Sequence, residues 1–444
     1  MRNIRKFFRA FVPEEVFGWY HWAQSMGGAV RYGFPSRRMI VIGVTGSKGK
    51  TTTANMIWAA LSASGAKVGA TGTANLRIGD REMPNKYHMT MLGRWYLQRF
   101  MAEMARAGCK YAVIEVPSEG QKHYRQAGIN FDVLVFTNLT HELQANHGFS
   151  FERLKRDNGR VFRHLENQRH KKLGGQRVPK TIIVNADAKD APEYAACEAD
   201  QHVDFSVQKP SDFQASAIKS SVHGTDFRVG QQAYHLPILG EFNVINAAGA
   251  IATASTLGVT PAQIARGLAE LTIIPGRMEV IDEGQDFTVI VDYAHEQVGL
   301  QLLLDSARQI VQDHKIIVHL GAEGGGRDVA KRPIMGEIAA RGSDIVIIGN
   351  VDPYDDPPAA IIADIARGAE RAGKVRDRDL YCIEDRRAGI SRALTLAHPG
   401  DLVLITGKGS EQSIIIDGVR SKWDDRAVVR EEMRKLAKKR KTKV

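Results

Sequence analysis

The sequence predicts an α/β fold: a central phosphate-loop domain with a mainly parallel sheet, then a C-terminal Rossmann-like α/β domain. Three observations carry this. At 41–53, V-I-G-V-T-G-S-K-G-K-T-T-T runs a β-branched stretch into a glycine-rich turn, and A-N-M-I-W-A-A-L after it reads as helix. From Met39 onward, strand-like and helical runs alternate, the rhythm of a mainly parallel sheet. The alternation starts afresh near Phe287, after an Ile-Pro-Gly at 274–276 that reads as a hinge. The expected division is therefore 1–38, a short basic segment; 39–275, the central domain; 276–433, the C-terminal domain; and 434–444, a basic tail.

Bulk composition fits two folded domains. The 444 residues are 43% hydrophobic and 25% charged, ordinary for a globular protein. Cys109, Cys197 and Cys382 form no CxxC pair, which argues against a zinc site or disulfide framework and fits the reducing cytoplasm. The net charge of +11 sits at the ends: residues 1–40 hold seven basic and two acidic residues, and 434–444 hold seven basic and none acidic. A nearly neutral body excludes a nucleic-acid-binding protein of the basic kind.

Taken in order, residues 2–11 (R-N-I-R-K-F-F-R-A-F) place Ile4, Phe7, Phe8 and Phe11 on one helical face flanked by Arg2, Arg5, Lys6 and Arg9. Such a helix lies in an anionic membrane interface or docks on the protein's own surface, and the sequence leaves both open. Residues 16–34 are apolar and aromatic but too interrupted for a membrane span. No signal-peptide cleavage site follows.

In the central domain, strands are expected at 39–44, 111–116, 132–137 and 181–184, with helices between them such as 91–107. Residues 167–180 read as a surface loop, 203–236 as a small extra sheet, and 242–257 as an alanine-rich helix. In the second domain, strands are expected at 287–291, 315–320, 344–348 and 401–405, with helices at 329–341 and 358–372. Ligands of such sheets bind at the carboxyl ends of strands. Glu115, the T-N-L of 137–139, Asn185 and Asp187 all fall there.

The loop carries its own chemistry. Backbone N–H groups of Gly46, Ser47, Lys48, Gly49 and Thr52, with the helix N-terminus, suit an anionic phosphate. Lys50 would reach the β- and γ-phosphates of ATP, and the Thr51 hydroxyl would hold Mg²⁺. The spacing is G-x-T-G-x-x-G-K-T, because Val44 stands where the usual first glycine would be.

That variant resembles the loop of the Mur ligases, ATP-dependent amide-bond-forming ligases that include the folylpolyglutamate synthetases. F-T-N-L-T-H-E (136–142), G-E-F-N-V-I-N-A-A (240–248), I-P-G-R-M-E-V-I (274–281), V-D-Y-A-H (291–295), R-D-V-A-K-R-P-I-M-G (327–336) and T-G-K-G-S-E (406–411) follow in the family's order. The resemblance covers roughly 39–425 and is nearest to the MurE branch, which adds the third residue of the peptidoglycan stem peptide.

The resemblance implies that ATP phosphorylates a peptide carboxylate and an amino acid's amine then displaces the phosphate. It implies catalytic roles for Lys50, Glu115, Arg277 and Lys408, with Mg²⁺ on Thr51 and Glu115 as a carboxylate for a second Mg²⁺. It further implies nucleotide contacts from Asn243, Asn246, Arg277, Asp292 and His295, and an amino-acid site of Asp352, Tyr354, Asp356, Ser410 and Glu411. Read without it, Glu115 is a strand-end acid and His295 a structural histidine.

Four departures stand out. The resemblance begins near residue 39, so the family's N-terminal UDP-holding domain is expected to be missing. Leu143 stands at a metal-binding histidine's place, with His141 and Glu142 nearby. Asn158 stands where the family often has a carbamylated lysine for the second metal, with Lys155 close. Tyr354 replaces the arginine that holds diaminopimelate's distal carboxylate, and Ser410 replaces a histidine. The expected partners are ATP, an amino acid and a peptidoglycan precursor, with membrane-surface contact through residues 1–11 and the basic tail. Two other readings stay open: a divergent ATP-binding relative with little or no ligase activity, and a ligase for a lipid-linked or other carboxylate.

Overall fold

The computed structural model describes residues 14–442 apart from 88, 141–147, 149, 222, 312 and 327. Residues 2–11 and His141, Glu142 and Leu143 therefore lie outside the described residues.

The glycine-rich turn leaves the centre of an eleven-stranded sheet. The loop strand, Ile40–Thr45, pairs in parallel with Tyr111–Glu115 on one side and Val133–Phe136 on the other. Val68–Thr71 continues one side in parallel, and Thr181–Asn185 and Gln201–Ser206 the other. The central strands are near-continuous buried runs, as strands covered on both faces must be. The loop strand is pinned at its start, where Asp132 accepts from the Val41 amide at 2.8 Å and from buried Lys171 at 2.6 Å.

Both edges are antiparallel. Asn75–Ile78 and Arg81–Pro84 form a hairpin at one edge, which the strand pattern does not anticipate. At the other, Phe213–Ser221, Gly224–Val229 and Gln232–Leu236 form a meander. This meander is the small extra sheet expected within 203–236, and it is joined to the main sheet. Phe205 and Ser206 pair with Phe213 and Gln214, so the open side of Gln201–Ser206 recruits the meander into the main sheet.

The loop helix Lys50–Ser62 packs against Asn243–Thr256 and Pro261–Glu270. Their apolar faces join one core that passes through Leu271 and Ile274 to Met278 and on into the second domain. The Ile-Pro-Gly junction is therefore packed rather than free. Gly276 has φ 62°, and a Cβ there would lie 2.1 Å from the Ser410 amide nitrogen.

The second domain has a six-stranded sheet in the order Glu279–Val280, Thr288–Val291, Leu402–Ile405, Ile316–Leu320, Ile345–Ile348 and Leu380–Cys382. All but the first strand run parallel. Its last helix spans Asp425–Thr442, so the expected tail from 434 is helical as far as Thr442. Among the described residues no helix is long and apolar enough to cross a membrane.

Candidate active site at the phosphate loop

Gly46 and Gly49 make the loop possible, with φ of 131° and 79°. A Cβ on Gly46 would sit 2.2 Å from Thr137 Oγ1, and one on Gly49 would sit 2.2 Å from Asn246 Oδ1. The T-N-L strand end braces the loop from behind. Ser47 N donates to Asn138 O at 2.8 Å, and Lys48 N donates to Asn138 Oδ1 at 3.0 Å. Those two amides are thus engaged by protein, which narrows the expected cradle towards the first turn of the helix at Lys50, Thr51 and Thr52. Lys50 Nζ arches back and donates to the carbonyls of Gly46 and Ser47, each at 2.7 Å.

Glu115 is fully buried at the end of its strand. It accepts from the Thr51 hydroxyl at 2.9 Å, the Thr73 amide at 2.8 Å and the Thr73 hydroxyl at 3.2 Å. Gly72 leaves it room, because a Cβ there would lie 1.9 Å from Glu115 Oε1. Burial pushes the Glu115 pKa up, against the opposing pull of Lys50, the Thr73 amide, Arg277 and Thr51. A carboxylate penalised in this way, beside a hydroxyl, suits a hard cation. Among the described residues no three His, Cys, Asp or Glu side chains converge on one point. The pair fits Mg²⁺ sharing its remaining positions with water and phosphate oxygens.

Asn158 and Lys155, the described places named for the second metal's lysine, do not fit that role. Asn158 is buried, its Oδ1 3.2 Å from Thr45 Oγ1 and its Nδ2 donating to Leu154 O at 3.1 Å. Lys155, the nearby candidate, is turned away into ion pairs with Asp190 at 3.2 Å and Glu193 at 2.6 Å.

On the other flank, Asn243 and Asn246 open their helix against the loop. Asn246 Nδ2 donates to Asn243 Oδ1 at 3.0 Å, and Thr53 Oγ1 donates to Asn246 Oδ1 at 3.3 Å.

The second domain reaches over this site. Arg277 Nη2 donates to Thr51 Oγ1 at 3.3 Å, and its guanidinium lies 4.3 Å from the Tyr293 ring centroid. Lys48 pairs with Glu296 at 3.5 Å. Asp292 does not reach the loop. It accepts from the Met278 and Ala294 amides at 2.8 Å each, fixing the backbone beside Arg277, where Met278 has φ 46°. His295 contacts the Tyr293 carbonyl at 2.8 Å and lies 3.5 Å from Glu296.

The amino-acid candidates divide. Lys408 is buried between Asp352 at 2.9 Å and Glu411 at 2.7 Å. Burial lowers its pKa, but Glu411 and Asp352 together outweigh that and raise it. Lys408 thus belongs to this pocket and not to the loop. Tyr293 OH donates to Glu411 Oε1 at 3.3 Å, which joins the pocket to Arg277. Ser410 is buried, with no hydrogen-bond partner for its hydroxyl among the described residues. Tyr354 has φ 57° and forms a bridge with Ile416. Asp356 accepts from the Gly325 amide at 3.2 Å, away from Lys408.

Sequence reasoning missed Gly72, Thr73, Tyr293 and Glu296. Gly72 and Thr73 follow the strand Val68–Thr71, so a carboxyl-end rule applied to that strand would have found them.

Two α/β domains thus meet over one phosphate loop, the second reaching it through Arg277 and Glu296. A model of the Mur ligase middle domain matches residues 44–254, and one of the Mur ligase glutamate ligase domain matches 276–409. The chain belongs to the Mur ligase family and stands with its MurE-type members.

Among similar proteins, the UDP-N-acetylmuramyl-tripeptide synthetase of Roseiflexus sp. is 38% identical over 416 residues, covering 92% of this chain and 81% of that protein. The UDP-N-acetylmuramoyl-L-alanyl-D-glutamate–2,6-diaminopimelate ligase of Geobacillus kaustophilus is 35% identical, covering 90% and 80%. A solved structure of a ligase of the latter name has a TM-score of 0.59 at 27% identity, covering 90% of this chain and 79% of that one. Folylpolyglutamate synthase of Mycobacterium tuberculosis shares the fold, with a TM-score of 0.67 at 18% identity over 94% and 95% of the chains.

Proposed function

We propose that this chain is an ATP-dependent ligase that joins an amino acid to the terminal carboxylate of a peptidoglycan-precursor peptide. One observation carries the reading. The Thr51–Glu115 pair lies under Arg277, and Tyr293 links that arginine to a buried Lys408–carboxylate pocket. That chain of contacts supports a phosphate-activating centre beside an amine-recognising group, the proximity such catalysis requires.

In the proposed reaction an acceptor carboxylate oxygen attacks the γ-phosphorus of ATP and ADP leaves. The amino acid's amine then attacks the acyl carbon, loses a proton, and inorganic phosphate leaves. Lys50 and Arg277 offset the charge that spreads over the moving phosphoryl group. Thr51 and Glu115 would hold Mg²⁺, which supplies further charge neutralisation on the phosphate oxygens. Asn243 and Asn246 would line the nucleotide's base side. Asp352 and Glu411, fixed by Lys408, would receive the amino acid.

The amino acid is proposed to be other than diaminopimelate, although similar proteins are named for it. A phenol at Tyr354 does not replace an arginine's planar fork for a distal carboxylate. A phosphate-release screen of amino acids with muramoyl-dipeptide acceptors tests both points. Turnover with diaminopimelate matching the best amino acid contradicts the specificity. We also place the enzyme in the cytoplasm, at the inner membrane surface, through residues 1–11 and the basic end.

A further inference from the structure

Helix Glu14–Arg31 is amphipathic the wrong way round for a helix that merely caps a domain. It docks through its small residues. Gly28 faces Gln98 and the Arg94 carbonyl, Gly18 faces Tyr124, and Ser25 and Ala29 are buried. Its large residues point outward. Val16, Trp19, Tyr20, Ala23 and Val30 recur at helical spacing along one exposed stripe, with Trp19 70% and Tyr20 57% exposed.

The neighbouring helix Arg94–Arg106 widens the stripe. Trp95 donates to Gln24 at 2.6 Å, and Tyr96 lies tilted against Tyr87 with ring centroids 5.1 Å apart. Among the described residues, every exposed aromatic lies in this one patch: Trp19, Tyr20, Trp22, Tyr87, Trp95 and Tyr96. Apolar exposure elsewhere is aliphatic. On its far side Trp22 borders a cavity of about 360 Å³ lined also by Tyr124, Arg160 and Arg163.

Tryptophan and tyrosine suit two kinds of occupant, a protein partner and the headgroup layer of a membrane. Charge favours the second. Residues 14–40 hold three basic and two acidic residues, and 86–110 hold five basic and one acidic, a net of about +5 beside the patch. A second copy of this face would bring like charges together, whereas an anionic bilayer complements them. The patch is also continuous in sequence with residues 2–11, where three phenylalanines alternate with arginine and lysine.

We propose that the outward face of helix Glu14–Arg31, with Trp95, Tyr96 and Tyr87 beside it, is a docking surface for an anionic lipid bilayer. The inference rests on the membrane-surface reading above and extends it from residues 1–11 to a folded face. Aromatic rings sit at headgroup depth and the flanking arginines meet lipid phosphates.

The test is co-sedimentation of the full chain with phosphatidylcholine vesicles, with and without phosphatidylserine, alongside tryptophan quenching by brominated lipid. Three proteins are compared: the wild type, Trp19→Ser/Tyr20→Ser, and a deletion of residues 1–11. The expected result is salt-sensitive binding to the anionic vesicles only, with quenching, and a loss of about tenfold in the double variant. Phosphate release in solution is expected to be unchanged in that variant, which shows that it folds. Free inorganic phosphate at matched concentration is expected not to compete.

If the deletion abolishes binding while the double variant binds like wild type, the segment reading survives and this inference is overturned. If the double variant loses binding while the deletion keeps it, this inference stands and the segment reading falls. No binding by wild type overturns both. A wild-type dimer that Trp19→Ser/Tyr20→Ser converts to monomer, with vesicle binding unaltered, also overturns the bilayer assignment in favour of a second copy.

Discussion

Glu115 shows what a single residue contributes. Its folded-state pKa lies above the ordinary glutamate value because burial penalises the charge. The folded protein therefore holds that proton more tightly than the unfolded chain, so the group's contribution to stability falls as pH rises past the ordinary glutamate range. Glu115→Gln is expected to raise the melting temperature in EDTA at pH 8, and the gain is expected to vanish near pH 4, about the ordinary glutamate pKa. The same variant is expected to lose Mg²⁺-dependent phosphate release. A melting temperature at pH 8 lower than wild type contradicts this account.

Lys408 is the opposite case, a cation that two carboxylates require. Lys408→Met leaves Asp352 and Glu411 without it, and is expected to cost about 3–5 kcal/mol in urea unfolding. A cost under about 1 kcal/mol would place those carboxylates in a solvated setting.

At this scale the loop's own residues, Lys50 and Thr51, were legible as neighbours, and Glu115 was brought to them only by its place at a strand end. Lys155 could not be read this way, because its partners Asp190 and Glu193 are far along the chain and meet it only in the fold.

At the scale of elements, the loop depends on what its glycines leave empty. Gly49→Ala would force a side chain into positive φ and against Asn246. Strain of about 1–3 kcal/mol is expected, read as a melting temperature lowered by about 2–10 °C, with the displaced loop costing at least about tenfold in ATP affinity by calorimetry. Unchanged affinity would mean that helix Asn243–Thr256 does not fix the loop.

Tyr111–Glu115, Val133–Phe136 and Thr181–Asn185 were legible because each is a short apolar run rich in β-branched residues, whereas Val68–Thr71, with glycine and alanine at its middle, was not. The hairpin Asn75–Pro84 was not, since R-I-G-D-R-E carries charge on an exposed edge and resembles a loop. The meander was seen as strands, but its joining through Phe205 and Ser206 depends on an open sheet edge that no local pattern reveals.

For the whole molecule, the central claim is that two domains complete one site. Arg277 is the arm that crosses, placed by Asp292 and stacked on Tyr293. Arg277→Lys keeps the charge but loses the planar fork. It is expected to lower kcat by about a hundredfold with ATP affinity changed by less than about threefold. Equal losses in both would make Arg277 a simple nucleotide anchor.

The two-domain plan was legible from the repeated strand–helix rhythm and the Ile-Pro-Gly junction. The pairing of Lys48 with Glu296 across that junction was not, because neither residue signals the other. The measurement that bears most directly on the central claim is phosphate release from ATP by the full chain, with amino acid and muramoyl-dipeptide acceptor supplied singly and together. The account predicts sustained release only when both are present, with formation of the amide product. Release with neither present, or tight ATP binding with no release under any pairing, would contradict it.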